Sequence, residues 1–210
     1  LAVLLMIFVD RIFLSHYSLQ SLNAAVNAGI LSWAFAGGFG LLTAMSEVFV
    51  AQYNGAGLYH KMGIPVWQMI WFSLASFLIF IPAGIWGEIF FPASVYKLQE
   101  VIYFRYVMIF APFYLAQTAL AGFFIGRGKT SFLLYLAIGA NIINIICDRL
   151  LIFGVPGLIP EMGIKGAAIG TSIGSIFQTL ILLGFFLRKK YREKYGTINW
   201  QLHWPTFRKC

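Results

Sequence analysis

Apolar residues run through this chain in six blocks, residues 1–14, 24–52, 64–91, 101–125, 132–153 and 166–187, with short polar stretches between them. The last five blocks each reach the roughly 20 residues that an α-helix needs to cross about 30 Å of hydrocarbon. Residues 1–14 are too short to do so, and Asp10 and Arg11 interrupt them where a secretory signal would stay apolar. The chain begins at Leu1 and stops inside a polar stretch, so the pattern predicts a piece of a longer protein. The expected architecture is all-α: a bundle of six transmembrane helices over residues 1–194, its first span clipped, followed by a truncated cytoplasmic linker, residues 195–210.

Composition sharpens this. With 60% hydrophobic and 10% charged residues and a mean hydropathy of +0.81, the chain falls well short of the roughly 25% charge usual for a soluble surface. The net charge of +8 is placed rather than scattered. Lys61 lies between spans 2 and 3, Arg127 and Lys129 between spans 4 and 5, and Arg188, Lys189, Lys190, Arg192 and Lys194 follow span 6. The alternate loops hold little beyond Lys97 and Lys165. The positive-inside rule therefore puts the basic loops in the cytoplasm of a multi-pass protein of the cytoplasmic (inner) membrane. A basic run directly after a span fixes orientation and meets anionic lipid, so the expected partner is the bilayer and not nucleic acid. Cys147 and Cys210 have no partner at disulfide or metal-site spacing, and His16 and His60 fall in loops without a companion ligand. No cofactor is expected.

Few polar side chains remain inside the spans, and those few carry the chemistry. Asp148 lies in the fifth span with Asn144 and Asn141 before it, at i, i+3, i+7 spacing that puts all three on one helix face. A carboxylate within a span costs about 3 kcal/mol or more, so it marks a functional site by default. At 1.5 Å per residue from the outer ends of their spans, Asp10, Asp148 and Thr171 share one level about 8 Å below the outer boundary. Two carboxylates, an amide and a hydroxyl are hard oxygen donors that suit Na⁺ or a proton better than a soft metal. Asp10, Asn144, Asp148 and Thr171 are thus the candidate coupling residues, and the same four are the candidate metal ligands if the ion is Na⁺. Asn141, Gln117 and Gln178 are candidates to line a substrate cavity.

The competing reading is a static lock, Asp10 with Arg11 and Asp148 with Arg149. Adjacent helical residues point about 100° apart, so each arginine is expected to snorkel outward instead. Glu47 and Glu88 sit near span ends, where a charge is cheap. Trp67, Trp71 and Trp86 are expected in interfacial belts or facing lipid, and other aromatic rings can receive flat cationic compounds. Pro65 is expected to open the third span, and Pro82 and Pro112 to kink theirs. The stretch from Asp10-Arg11 to Asn23-Ala24-Ala25-Val26 parallels that from Asp148-Arg149 to Gly166-Ala167-Ala168-Ile169. Spans 1–2 and 5–6 can thus form equivalent hairpins that place their aspartates together.

Five motifs, in order and covering nearly the whole chain, resemble the multidrug and toxic compound extrusion (MATE) transporters. They are Phe8-Val9-Asp10 with the following Ser18–Asn27 stretch, Val50-Ala51-Gln52-Tyr53-Asn54-Gly55-Ala56-Gly57, Gly126-Arg127-Gly128-Lys129-Thr130, Asn144 to Asp148 with Ile152-Phe153-Gly154, and Gly163-Ile164-Lys165-Gly166-Ala167-Ala168. The resemblance implies one lobe, the amino-terminal one, of a twelve-helix exporter whose second lobe is absent here. It also implies outward movement of drug-like, amphipathic compounds against inward flow of Na⁺ or H⁺, by alternating access. Asp10 stands where the family has its helix 1 aspartate. Asn144 and Asp148 resemble the DNA-damage-inducible and archaeal-type branch, and Thr171 its helix 6 hydroxyl. The arginine after each aspartate departs from the family pattern; turned inward, it would compete with Na⁺ and favour a proton-coupled or electrostatically locked site. A lipid-linked oligosaccharide or polysaccharide flippase of the same wider superfamily is the alternative, but it would favour a cationic cavity. An intramembrane aspartyl protease would need a Gly-x-Gly-Asp context that neither aspartate has, so no enzyme is expected.

Overall fold

Hydrocarbon offers main-chain N–H and C=O groups no partners, so each apolar block must satisfy its own as helix. A computed structural model describes residues 2–207; Leu1 and the last three residues, Cys210 among them, lie outside the described residues. In chain order the helices are α1 (Ala2–Tyr17), α2 (Leu19–Gly55), α3 (Gly63–Ala75), α4 (Phe77–Ile85), α5 (Lys97–Ile125), α6 (Thr130–Phe153), α7 (Ile164–Phe186), α8 (Lys189–Tyr195) and α9 (Trp204–Phe207). Among the described residues five spans are long and apolar enough to cross a membrane, α3 and α4 counting together as one. The six-helix bundle read from the sequence is present, with α1 as its short first member.

Two boundaries differ from the hydropathy pattern, each for a local reason. α2 starts at Leu19, ahead of its apolar block, because Ser18 is extended and its hydroxyl accepts from the Ser21 N–H at 3.4 Å. A cap, not hydropathy, sets that helix start. The third span breaks at Ser76 rather than kinking at Pro82, which lies within α4. There Ser73 Oγ donates to the Ile70 carbonyl at 2.7 Å and Ser76 Oγ to the Ser73 carbonyl at 2.6 Å. Such back-bonding competes with the helical ladder and bends it. Pro65 does sit in the first turn of α3, and α5 runs unbroken through Pro112.

α5 occupies the middle of the bundle, with α2, α3, α4 and α7 packed on it, while α6 is held between α1 and α7. The half of the bundle toward the α5–α6 turn is filled by Phe123, Phe124, Phe186 and Leu182 and the other half by Phe80, Phe104 and Met108. A third, smaller cluster of Leu14, Ala24, Ala25, Ile152 and Ala167 joins α1 and α2 to α6 and α7. It lies next to the polar residues of α1 and α6.

The segment after α8 does not hang free. Trp67 Nε1 donates to the Thr197 carbonyl at 2.8 Å and Trp71 Nε1 to the Trp200 carbonyl at 2.7 Å. Gln68 accepts from the His203 N–H at 3.0 Å and donates to the Gln201 carbonyl at 3.1 Å. Trp67 and Trp71 are therefore clamps on the following chain rather than lipid-facing belt residues; Trp86, by contrast, is exposed. Trp67→Phe removes one hydrogen bond worth about 1 kcal/mol, which corresponds to about fivefold more opening. Limited proteolysis between Gly196 and Phe207 should accelerate by that factor. Unchanged cleavage would remove the clamp reading.

Candidate cation site

Three helices deliver polar side chains to one place. Asp10 on α1 is 8% exposed, and Asn144 and Asp148 on α6 are fully buried. The carboxyl groups of Asp10 and Asp148 lie within hydrogen-bonding reach of each other, and the Asn144 side chain lies within reach of Asp148. From α7, Thr171 Oγ1 donates to Asp10 Oδ2 at 3.2 Å, sharing its proton with the Ala167 carbonyl at 3.1 Å. Asp10 Oδ1, both carboxylate oxygens of Asp148 and both polar atoms of Asn144 are buried with no well-formed hydrogen bond. Buried polar atoms are nearly always paired, so five unpaired ones on three neighbouring side chains, four of them oxygens, mark a place suited to something that bonds to oxygen. Two carboxyl groups facing each other are both acceptors. They hold that position only with a proton or a cation between them.

α7 makes the recess by omission. Gly166, Gly170 and Gly174 follow each other at one-turn spacing, the small-residue pattern that lets membrane helices approach closely. A Cβ on Gly166 would lie 2.5 Å from the Leu151 main chain, one on Gly170 2.0 Å from Asp148 Oδ1, and one on Gly174 3.6 Å from Asn144 Cβ. The glycine stripe is thus seated against Asn144 and Asp148. It is visible in the sequence as Gly-x₃-Gly-x₃-Gly, a pattern that a search for polar residues passes over.

The other residues singled out in the sequence fall in several places. Asn141 is buried on the same helix as Asn144 and Asp148. Gln117 and Gln178 hydrogen-bond to each other between α5 and α7, Gln117 Nε2 donating to Gln178 Oε1; Gln178 lies two turns, about 10 Å, further in along α7 than Thr171. They form a separate polar contact and do not join the aspartates. Arg11 and Arg149 are exposed, and the Arg149 guanidinium lies 4.8 Å from the Phe153 ring centroid. Among the described residues no Lys, Arg or His nitrogen lies within 4 Å of Asp10 or Asp148. Among the described residues neither aspartate forms the static lock with the arginine that follows it, and Arg149 turns to the Phe153 ring. Cys147 is half-buried and unpaired, and Glu88 is exposed.

Glu100 escapes a reading by hydropathy because it sits in the first turn of a span, yet it is 1% exposed. Asn27 Nδ2 donates to its Oε1 at 2.9 Å, and one turn outward Asn23 Nδ2 donates to the Tyr96 hydroxyl at 3.4 Å. The signal that reveals it is a pair of matched spacings: Asn23 and Asn27 at i, i+4 in α2, and Tyr96, Glu100 and Tyr103 at i, i+4, i+7 from the residue that caps α5 into that helix.

The sequence profile of the MatE family matches residues 1–150. This chain belongs to that family. The MATE chain is 31% identical over 205 residues, 90% of its length, to the probable multidrug resistance protein NorM of Photorhabdus laumondii, of which it covers 42%. It is 30% identical over 195 residues, 87% of its length, to the multidrug resistance protein NorM of Vibrio cholerae, of which it covers 41%. It thus spans about two fifths of the length of these relatives. Its fold matches a MOP superfamily transporter from Pyrococcus furiosus with a TM-score of 0.69 at 18% identity, over 98% of this chain and 46% of that one. The same fold appears in an outward-facing multidrug resistance MATE transporter of the MOP superfamily, with a TM-score of 0.70 at 18% identity over 99% of this chain and 46% of that one. The MATE chain is therefore a multi-pass membrane protein with the fold of one transporter lobe, from a family of transporters and not of enzymes.

Proposed function

We propose that this MATE lobe, completed by a second lobe, works as a Na⁺- or H⁺-coupled antiporter that exports drugs or other amphipathic organic compounds across the cytoplasmic membrane by alternating access. The single observation that carries the reading is the meeting of Asp10 and Asp148, two buried carboxyl groups with unpaired oxygens and no counter-cation among the described residues. The hard donor set fits Na⁺: Asp10, Asn144, Asp148 and Thr171 would hold it, and the same acids can hold a proton. This arrangement supports placement in the DNA-damage-inducible and archaeal-type branch. It favours a cation-coupled exporter over a flippase for pyrophosphate-linked sugars, since a recess with two acids and outward-turned arginines repels such an anion.

The geometry suggests how binding does work. Without a cation the carboxyl of α1 repels that of α6; with one between them, α1 is drawn onto α6 and α7. Binding thus discriminates between two packings of α1, as an ion that shifts a conformational equilibrium must. Residues 1–194 form the lobe in this reading, and residues 195–210, clamped at their start by Trp67 and Trp71, form the cytoplasmic connection to the other lobe. Efflux of a fluorescent cationic dye from proteoliposomes holding the full-length protein tests this, with sodium and proton gradients imposed separately. One of the two should accelerate efflux at least tenfold. Indifference to both would overturn secondary transport.

A further inference from the structure

We propose that Glu100 is a second cation station, which receives the coupling ion near the outer surface and passes it to Asp10 and Asp148; this rests on the cation-coupled reading above. Glu100 is 1% exposed, its Oε1 is held by Asn27, and its Oε2 is buried with no partner. Lys97 and Arg105 on its own helix and Arg11 on α1 all stand more than 4 Å from its carboxyl. A buried carboxylate with neither counter-ion nor full hydrogen bonding is strongly disfavoured, and a bound cation removes that penalty.

Its neighbours form a route. Asn23 and Asn27 are on the exposed side of α2, so one amide layer separates Glu100 from the surface of the lobe. Outward, the Asn23–Tyr96 contact lies one turn away on both helices. Inward, one turn along α5, Tyr103 packs beside the third core cluster and lies within electrostatic reach of both Asp10 and Asp148. Counted from their helix starts, Glu100 and Tyr103 lie about 5 and 9 Å below the outer end of α5. That descends toward the level of the aspartate pair. The polar residues Asn23/Tyr96, Asn27/Glu100 and Tyr103 lead from the end of α2 along α5 toward Asp10 and Asp148, and Glu100 is the one acid among them.

A purely structural role, tying α2 to α5 through Asn27, makes a different demand. A glutamine satisfies it, because its carbonyl oxygen still accepts from Asn27 Nδ2. Glu100→Gln therefore separates charge from shape. In proteoliposomes of the full-length protein, gradient-driven dye efflux is measured against the external concentration of the coupling cation. Glu100→Gln should raise the half-saturating concentration about tenfold, and Glu100→Asp should recover it to within about threefold of wild type. Half-saturation within twofold of wild type for Glu100→Gln, or a lowered maximum with unmoved half-saturation, overturns the proposal. If Glu100→Gln cannot be extracted folded, Asn27→Ala, at an exposed position, takes its place with an expected shift of about threefold; no shift overturns the proposal equally. Asp148→Asn run alongside keeps the two claims apart. Loss of efflux in Asp148→Asn with Glu100→Gln unchanged sinks only the station, whereas a wild type indifferent to the cation sinks the coupled reading itself.

Discussion

Asp148→Asn in the full-length protein should abolish gradient-driven efflux, with cation affinity weakened at least about 100-fold, equivalent to about 2.7 kcal/mol. The amide has the size of the carboxyl but brings no negative charge, so it can neither neutralise a cation nor exchange a proton with Asp10. Its effect on folding should be small or favourable, because it removes a charge that is fully buried without a counter-ion. Size-exclusion profiles and melting midpoints in detergent, taken beside vesicle efflux, separate the two effects. A variant that still transports in response to the gradient would show that the recess is not where the ion acts.

Gly170→Ala should be nearly as damaging although it changes no polar atom. The added methyl would lie 2.0 Å from Asp148 Oδ1 and 3.4 Å from the Asp148 main-chain nitrogen. The carboxyl is the movable party, so it rotates away from Asp10 rather than forcing the helices apart. Cation affinity should fall about tenfold or more, with the protein still folded. Gly139→Ala is the matching control: it is also a glycine in a span, and a Cβ there meets nothing within 4 Å. By helix propensity that change should stabilise by up to about 1 kcal/mol and leave transport alone. Should both alanines behave alike in a cation titration, the seating of Asp148 against α7 is irrelevant to function.

Much of this architecture is legible in the residues because a bilayer imposes two simple demands, on segment length and on the placement of charge. Apolar runs place the spans, and shared depth brings Asp10, Asp148 and Thr171 to one level. What the residues conceal is decided by single hydrogen bonds and by missing atoms. The start of α2 follows from the Ser18 hydroxyl, and the bend in the third span from Ser73 and Ser76 where a proline seemed the obvious cause. Trp67 and Trp71 look like belt residues until the chain returns beneath them, a long-range event with no local signature. Glu100 is hidden by its place in a helix's first turn, where an acid is ordinarily solvated and favoured by the helix dipole. Its burial depends on Asn27, far away in sequence.

The three bare positions on α7 have one more consequence. Where helices mesh through interlocking side chains, sliding one past the other requires rotamers to unlock in concert, and friction is high. Along Gly166, Gly170 and Gly174 α7 brings no side chain to the contact, so only Asn144 and Asp148 of α6 lie in the track. The axial register of α6 on α7 is therefore held by the Asp148 carboxyl more than by interlocking apolar side chains.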